Sequence, residues 1–144
     1  MSGLEVRRAR PDELARCLAI RRAVFVEEQG VPLEEEMDAH DPACAHFLAL
    51  SLGEAVGTAR LRVTGDGRPK AERVAVRRPF RRAGVGRALM CALEDEARAR
   101  GQRELVLNAQ VAVVAFYERL GYRAEGPEFL EAGIPHLAMR KPLT

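Results

Sequence analysis

The sequence predicts a mixed α/β fold built around a strand–helix–strand crossover in the middle of the chain. An apolar strand over residues 70–76 is followed by an amphipathic helix over residues 84–99 and a second apolar strand over residues 103–109. A crossover of this kind pairs its two strands in parallel. The length of 144 residues and the 47% apolar content are typical of one globular domain, so we expect residues 1–144 to form a single domain.

The first third of the chain predicts a strand, a long helix and an acidic loop. Residues 4–9 alternate apolar and polar side chains, which is typical of a strand at the start of a sheet. Pro11 fits the first turn of a helix that continues to about Gln29. Residues 27–43 contain seven carboxylates and no lysine or arginine, and their glycine and prolines predict a loop.

Strands also flank the crossover on both sides. Residues 45–52 and 55–63 are separated by a turn, which predicts a hairpin. After the crossover, residues 111–121 predict a short helix, and residues 122–126 and 135–143 predict two late strands. The order of elements is therefore mixed, with one parallel pair inside an otherwise antiparallel arrangement.

Composition excludes several classes of protein. The formal net charge is only +2, so the chain as a whole is not a polycation. Cys17, Cys44 and Cys91 are odd in number and widely spaced, which indicates reduced thiols. No apolar run approaches the roughly 20 residues needed to span a membrane, and residues 1–10 resemble no secretory signal. We expect a cytoplasmic protein with no membrane partner.

The most informative segment is residues 77–88, in which five arginines surround Gly84 and Gly86. It lies between the strand and the helix of the crossover. The first amides of a helix have no partner within the helix, and the helix dipole adds positive charge there, so a phosphate group binds well at this position. Glycine lets the backbone approach closely, and Arg82 or Arg87 adds a charged contact.

Residues 77–88 do not match two better-known phosphate-binding loops, and they lack a feature typical of nucleic-acid binding. No GK[ST] sequence is present, which argues against a nucleotide triphosphatase loop, and Leu89 replaces the third glycine of a dinucleotide-binding motif. No aromatic residues alternate with the arginines, so we expect no nucleic acid partner. A helix N-terminus with solvated arginines remains the alternative.

Four segments resemble the GNAT acetyltransferase superfamily. Residues 81–86 resemble its R/Q-x-x-G-x-G/A signature, and residues 105–122 resemble the strand, helix and tyrosine that follow it. Residues 25–50 and 131–139 are similar to the ElaA/YjcF-type subgroup. The resemblance covers most of the chain in the expected order.

The resemblance implies a GNAT-like mixed sheet of about six to seven strands flanked by about four helices, with the fourth and fifth strands splayed apart. It implies that acetyl-CoA binds in that opening as cosubstrate, with a small-molecule or peptide amine as acceptor and no metal. The implied cofactor-binding residues are Val74, Ala75 and Val76 for pantetheine, Arg81, Arg82, Ala83, Gly84, Val85, Gly86, Arg87 and Ala88 for the diphosphate, and Asn108 and Phe116.

Direct acyl transfer requires an acid for the departing thiolate and a route for the proton of the amine. Tyr117 is the predicted general acid, because a thiol of pKa about 8.5 needs only a weak one. A lysine-like amine costs roughly 4–5 kcal/mol to neutralise at pH 7, whereas an α-amine costs about 1. Glu72 and His136 are therefore candidates for a general base, and the remaining possibilities are Glu28, Asp38 and His46.

These expectations describe an N-acetyltransferase that moves acetyl from acetyl-CoA directly to a primary amine. The alternative is a non-catalytic acyl-CoA-binding sensor or regulatory module, which shares the turn but does not need Tyr117. The acidic stretch 27–43 either attracts a cationic acceptor or is a solvated loop. A homodimer is possible for such a fold.

Overall fold

One seven-stranded sheet forms the centre of the computed structural model, which describes residues 3–144. The strands are β1 (Leu4–Arg8), β2 (Ala45–Ser51), β3 (Glu54–Val63), β4 (Pro69–Val76), β5 (Glu104–Gln110), β6 (Arg123–Glu131) and β7 (Ile134–Pro142). Their order in the sheet is β1-β2-β3-β4-β5-β7-β6. All neighbours are antiparallel except β4 and β5, which are parallel as the crossover predicts.

Four α-helices flank the sheet. They are α1 (Leu14–Arg21), α2 (Leu33–Glu36), α3 (Val85–Ala99) and α4 (Val114–Arg119). A 3-10 turn at Pro11–Glu13 precedes α1, and a π-helix at Arg22–Glu28 continues it, so the predicted helix to about residue 29 is confirmed. No helix within residues 3–144 has the length and apolar character needed to cross a bilayer.

The two faces of the sheet carry separate apolar clusters. Val85, Leu89 and Leu93 of α3 pack with β-strand residues on one face, as the helical spacing predicts. Cys17 and Ile20 of α1 pack on the other face. Strands β2 and β3 are buried almost throughout because both of their faces are covered.

The predicted acidic loop is partly wrong, since residues 27–43 contain α2 and a 3-10 turn at Asp41–Ala43. Two of its carboxylates are buried rather than solvated. Arg21 is 1% exposed and donates to Glu36 (Nε to Oε1, 2.6 Å) and to Asp41 (Nη1 to Oδ1, 2.8 Å). Ion pairing therefore folds this segment against α1, a contact that a local pattern of loop residues does not reveal.

Arg60 of β3 extends this buried network to β4. Its guanidinium is 1% exposed and donates to Asp41 (2.8 Å), Asp38 (2.8 Å) and Glu72 (2.7 Å). A buried charge is stable only when it is paired and hydrogen-bonded, and Arg60 satisfies this condition with three carboxylates. The network fixes the α2 region above β3 and β4.

The parallel strands β4 and β5 diverge soon after they begin to pair. Register pairs join them only at Lys70–Val106 and Ala71–Leu107. Just beyond this point, β4 contains a bulge against β3, and Arg73 there has a left-handed φ of 55°. A bulge bends its strand and interrupts pairing, which accounts for the opening between β4 and β5. The predicted splayed sheet is thereby confirmed.

Candidate functional site

The turn between β4 and α3 presents a row of unpaired backbone amides. Within residues 3–144, the amides of residues 82–87 donate to no protein group, and the first helical bond runs from the amide of Ala88 to the carbonyl of Gly84 (3.0 Å). Arg82 and Gly84 have left-handed φ values of 66° and 83°, which turn the chain sharply into the helix. Unpaired amides at the start of a 15-residue helix are suited to binding an anion.

The two glycines of this turn serve different purposes. Gly84 needs its left-handed φ, and a Cβ added there meets no atom within 4 Å. Gly86 has no left-handed conformation, but a Cβ added there would lie 3.2 Å from Cζ of Phe116. Gly86 therefore allows the Phe116 ring to pack against α3, a reason the sequence alone did not indicate.

Replacing Gly84 with alanine is expected to weaken binding of CoA by about tenfold. An alanine in a left-handed conformation is strained by roughly 1–2 kcal/mol. The backbone relieves this strain by moving, which displaces the unpaired amides. Gly101→Ala is the matched control, since Gly101 has a similar φ of 78°, has equally open space and lies at the other end of α3. Calorimetric titration and thermal unfolding of both variants test this expectation. Equal loss of CoA affinity in both would contradict it.

The arginines of the turn fall into two groups. The side chain of Arg81 is occupied by protein, since its Nη atoms donate to Glu28 (2.7 and 2.8 Å) and its Nε donates to the carbonyl of Val76 (2.9 Å). This differs from the predicted contact of Arg81 with a diphosphate. Arg82 and Arg87 are exposed and form no ion pair within the described residues, so their side chains are available to an anion.

The predicted pantetheine-binding residues line the opening. Val74 and Val76 pack toward the α3 face and Ala75 toward the α1 face, which holds this part of β4 in place from both sides. Beyond Ala71, β4 has no register pair with β5, so the edge of β4 that faces the opening is free. Free strand edges bind extended groups through their backbone.

Tyr117 lies on α4 next to Phe116. Its side chain packs edge-to-face against Phe116, with ring centroids 4.9 Å apart, and against Tyr122 at 5.9 Å. Burial raises the pKa of Tyr117 to about 12, so its hydroxyl keeps its proton at neutral pH. Within residues 3–144 that hydroxyl makes no hydrogen bond, whereas the hydroxyl of Tyr122 donates to Glu94 (2.8 Å). The proton of Tyr117 is therefore free for a ligand.

The structure argues against Glu72 as a general base. Its carboxylate accepts hydrogen bonds from Arg60 (2.7 Å) and Arg62 (2.9 Å), and Lys70 lies 3.3 Å away. Burial alone would favour the neutral acid, but hydrogen bonds from Arg62 and Arg60 outweigh it and lower the pKa of Glu72 to about 2. A carboxylate held this firmly as an anion is a weak proton acceptor, and its role is structural.

Among the described residues, His136 on β7 has one ring nitrogen that is bound within the protein and one that is not. Its side chain is 8% exposed and stacks on Phe129, with ring centroids 6.0 Å apart. Its Nδ1 lies 2.6 Å from the carbonyl oxygen of Ile134. Because a carbonyl only accepts, Nδ1 carries the hydrogen, and in the neutral ring Nε2 keeps the lone pair. Nε2 makes no hydrogen bond within residues 3–144 and lies 3.6 Å from Glu131.

Asn108, which is predicted to contact pantetheine, has a hydrogen-bond partner within the protein. Its side-chain amide donates to Oε1 of Glu131 (3.1 Å). Register pairs place Asn108 opposite Ala138 and Gln110 opposite His136, so these polar side chains of β5 and β7 share one face. A cavity of about 320 Å³ lies next to Asn108 and Ala138, and it extends away from the opening, along the paired residues Lys70 and Val106 to the turn before β4 at Asp66 and Arg68.

Two contacts that cross the opening were not predicted from the sequence. Glu28, at the end of the π-helix, holds Arg81 on the β4 side, and the adjacent Gln29 accepts a hydrogen bond from Gln110 (2.9 Å) on the β5 side. The other two candidates for the general base, Asp38 and His46, have partners within the protein. Asp38 is bound by Arg60, and His46 is buried, with Nε2 2.9 Å from the carbonyl of Asp41.

Comparison with known proteins gives consistent matches. The family described as "Acetyltransferase (GNAT) domain" matches residues 11–143. The chain is 43% identical over 131 residues to "Uncharacterized N-acetyltransferase YjcF" of Bacillus subtilis (strain 168), covering 90% of this chain and 93% of that protein. Escherichia coli ElaA superposes with a TM-score of 0.83 at 28% identity, covering 96% of this chain and 99% of that one. An acyl-CoA N-acyltransferase from Pseudomonas aeruginosa superposes with a TM-score of 0.81 at 31% identity, covering 96% and 97%.

Proposed function

Because the chain belongs to the GNAT acetyltransferase family and is an acyltransferase, we propose that it transfers acetyl from acetyl-CoA directly to a primary amine of a small molecule or peptide. The observation that carries this proposal is the row of unpaired amides at residues 82–87, placed beside the opening between β4 and β5. The whole chain acts as one catalytic domain in this proposal.

The residues of the turn fit the diphosphate of CoA. Six consecutive positions, 82–87, offer amide donors, and the exposed Arg82 and Arg87 add positive charge. The free edge of β4 at residues 74–76 offers backbone groups to the amides of pantetheine. Arg81 acts indirectly, because its ion pair with Glu28 and its bond to the carbonyl of Val76 hold the turn in position. When bound, acetyl-CoA supplies the thioester that is attacked.

Tyr117 is proposed to protonate the departing thiolate. Its pKa of about 12 keeps it protonated until charge develops on sulfur, and its hydroxyl has no competing partner within the described residues. Packing against Phe116 and Tyr122 restricts the motion of the ring, which favours one direction for the hydroxyl. Phe116 in turn packs on Gly86, so Tyr117 is held at a fixed position relative to the turn between β4 and α3.

His136 is the proposed general base in place of Glu72. Its Nδ1 is held by the carbonyl of Ile134, which leaves Nε2 to accept a proton. The amine loses that proton before or during attack on the thioester carbon. The N–C bond forms as the C–S bond breaks, and the thiolate takes the proton of Tyr117. The nitrogen then gives its second proton to the tyrosinate oxygen, which restores Tyr117 and leaves a neutral amide.

Screening purified protein against amines and peptides for release of free thiol from acetyl-CoA tests the proposal. We expect at least one primary amine to stimulate release, and we expect CoA itself to bind in calorimetric titration. If CoA binds and no amine is acetylated, a non-catalytic acyl-CoA sensor is the better description. If CoA does not bind at millimolar concentration, the proposed function is wrong in both forms.

A further inference from the structure

We propose that Glu131 holds the positively charged amino group of the acceptor beside Nε2 of His136, so that the acceptor is an alkylamine that arrives as an ammonium ion. This inference rests on the proposed function, which it deepens by naming the chemical class of the acceptor. Glu131 lies at the end of β6, next to a tight turn in which Ala132 and Gly133 are both left-handed. The turn directs the end of β6 back along β7 to His136.

The carboxylate of Glu131 is held in place from two directions. Its Oε1 accepts a hydrogen bond from Asn108 (3.1 Å), and its Oε2 lies 3.6 Å from Nε2 of His136. The imidazole is itself fixed, by the carbonyl of Ile134 at Nδ1 and by the ring of Phe129. Two hydrogen-bond acceptors, a carboxylate oxygen and a lone-pair nitrogen, therefore face each other at a fixed distance.

Two acceptors that face each other need a donor between them. An ammonium group has three hydrogens and a positive charge, so it satisfies both atoms at once. The protein supplies no such group, since within residues 3–144 no lysine or arginine lies within ion-pairing distance of Glu131. Its neighbour on the same strand, Glu125, is by contrast paired with Arg140 (3.2 Å). Glu131 is thus a positioned carboxylate with half of its side chain open to solvent.

The location also fits an acceptor site. Asn108 is the first residue of β5 after its last register pair with β4, so its bond to Glu131 places the carboxylate beside the opening. Glu131 is then a binding residue, and Asn108 is a positioning residue that acts through it.

The proton balance of the step is complete. The ammonium nitrogen gives one proton to Nε2 of His136, and the resulting imidazolium is balanced by the Glu131 carboxylate. The neutral amine then attacks the thioester carbon, the C–S bond breaks, and the thiolate takes the proton of Tyr117. The nitrogen gives its second proton to the tyrosinate oxygen and becomes a neutral amide, and the imidazolium of His136 releases its proton to solvent. After transfer, the amide product has no positive charge and loses its attraction to Glu131, which favours its release.

The test uses the full chain saturated with CoA, which cannot transfer an acetyl group. n-Butylammonium chloride is titrated in while the imidazole signals of the three histidines are followed by NMR. The His136 signal is identified as the one missing in His136→Asn. We expect saturable shifts of that signal with n-butylammonium and none with butanol. We expect Glu131→Gln to weaken this binding by at least tenfold and to leave binding of CoA within about twofold.

Glu128→Gln is the matched control. Glu128 lies on the same strand and is exposed, but it falls in the irregular part of β6 between Glu125 and Phe129, and within residues 3–144 it makes no hydrogen bond or ion pair with Asn108 or His136. We expect the Glu128→Gln variant to bind n-butylammonium as tightly as the unsubstituted protein does. If CoA binds but n-butylammonium does not, or if both glutamine variants behave alike, the assignment of Glu131 is wrong and the proposed function survives. With an amine substrate, Glu131→Gln should raise KM for that amine and leave KM for acetyl-CoA unchanged.

Discussion

Replacing Tyr117 with phenylalanine is expected to lower kcat by about 100-fold or more and to leave the affinity for acetyl-CoA within about threefold. The substitution removes one hydroxyl and keeps the ring. The edge-to-face contacts with Phe116 and Tyr122 therefore remain, and so does the packing of Phe116 on Gly86. In the proposed mechanism, the substitution removes the proton that the thiolate would take, which burial keeps on the hydroxyl with a pKa of about 12.

Tyr122→Phe is the control for this experiment. The hydroxyl of Tyr122 donates to Glu94, which also binds Lys141, and this group lies between α3 and β7. We expect that variant to lose about 1 kcal/mol of stability and to keep kcat within a few-fold. Steady-state kinetics and calorimetry on both variants distinguish the two roles. Unchanged turnover in Tyr117→Phe would show that another group or water protonates the thiolate.

The turn between β4 and α3, with its unpaired amides, was predictable from sequence because it depends on local structure. A strand, a glycine-bearing turn and an amphipathic helix follow one another within residues 70–99, and the unpaired amides arise from the start of the helix itself. The parallel pairing of β4 and β5 followed from the same local order. The divergence of these strands was expected only from the resemblance. Its cause is the bulge at Arg73, and nothing in the sequence distinguishes this arginine from one in a regular strand.

The polar contacts of the site were not predictable because they join distant parts of the chain. Glu28 and Arg81 are 53 residues apart, and Gln29 and Gln110 are 81 apart. Charge alone does not tell which of many carboxylates meets which arginine. Glu72 illustrates the problem, since its type suits a base but its neighbours after folding are three cations. Only the folded arrangement separates a structural carboxylate such as Glu72 from an available one.

Replacing Arg60 with leucine is expected to destabilise the protein by about 3 kcal/mol at pH 7, because removing one partner of a buried ion pair leaves charges without compensation. Asp41, Asp38 and Glu72 each lose a hydrogen bond of 2.7–2.8 Å to a guanidinium that is 1% exposed. Since domains of this size are stable by about 5–15 kcal/mol, the variant should still fold. Arg62→Leu is the control, with an expected loss of at most about 1 kcal/mol, since Arg62 is 21% exposed and, within residues 3–144, pairs with Glu72 alone.

The pH dependence of the Arg60→Leu effect identifies its cause. In the unsubstituted protein, hydrogen bonds from Arg62 and Arg60 hold the pKa of Glu72 at about 2 against the opposing effect of burial, so Glu72 is ionised at both pH 7 and pH 5. In the variant, the carboxylates that lost Arg60 have higher pKa values, and those that take up a proton at pH 5 no longer carry an uncompensated charge. The destabilisation measured by urea unfolding should therefore be smaller at pH 5 than at pH 7. An equal loss of stability at both pH values would mean that lost packing of the arginine side chain, rather than unpaired charge, accounts for the effect.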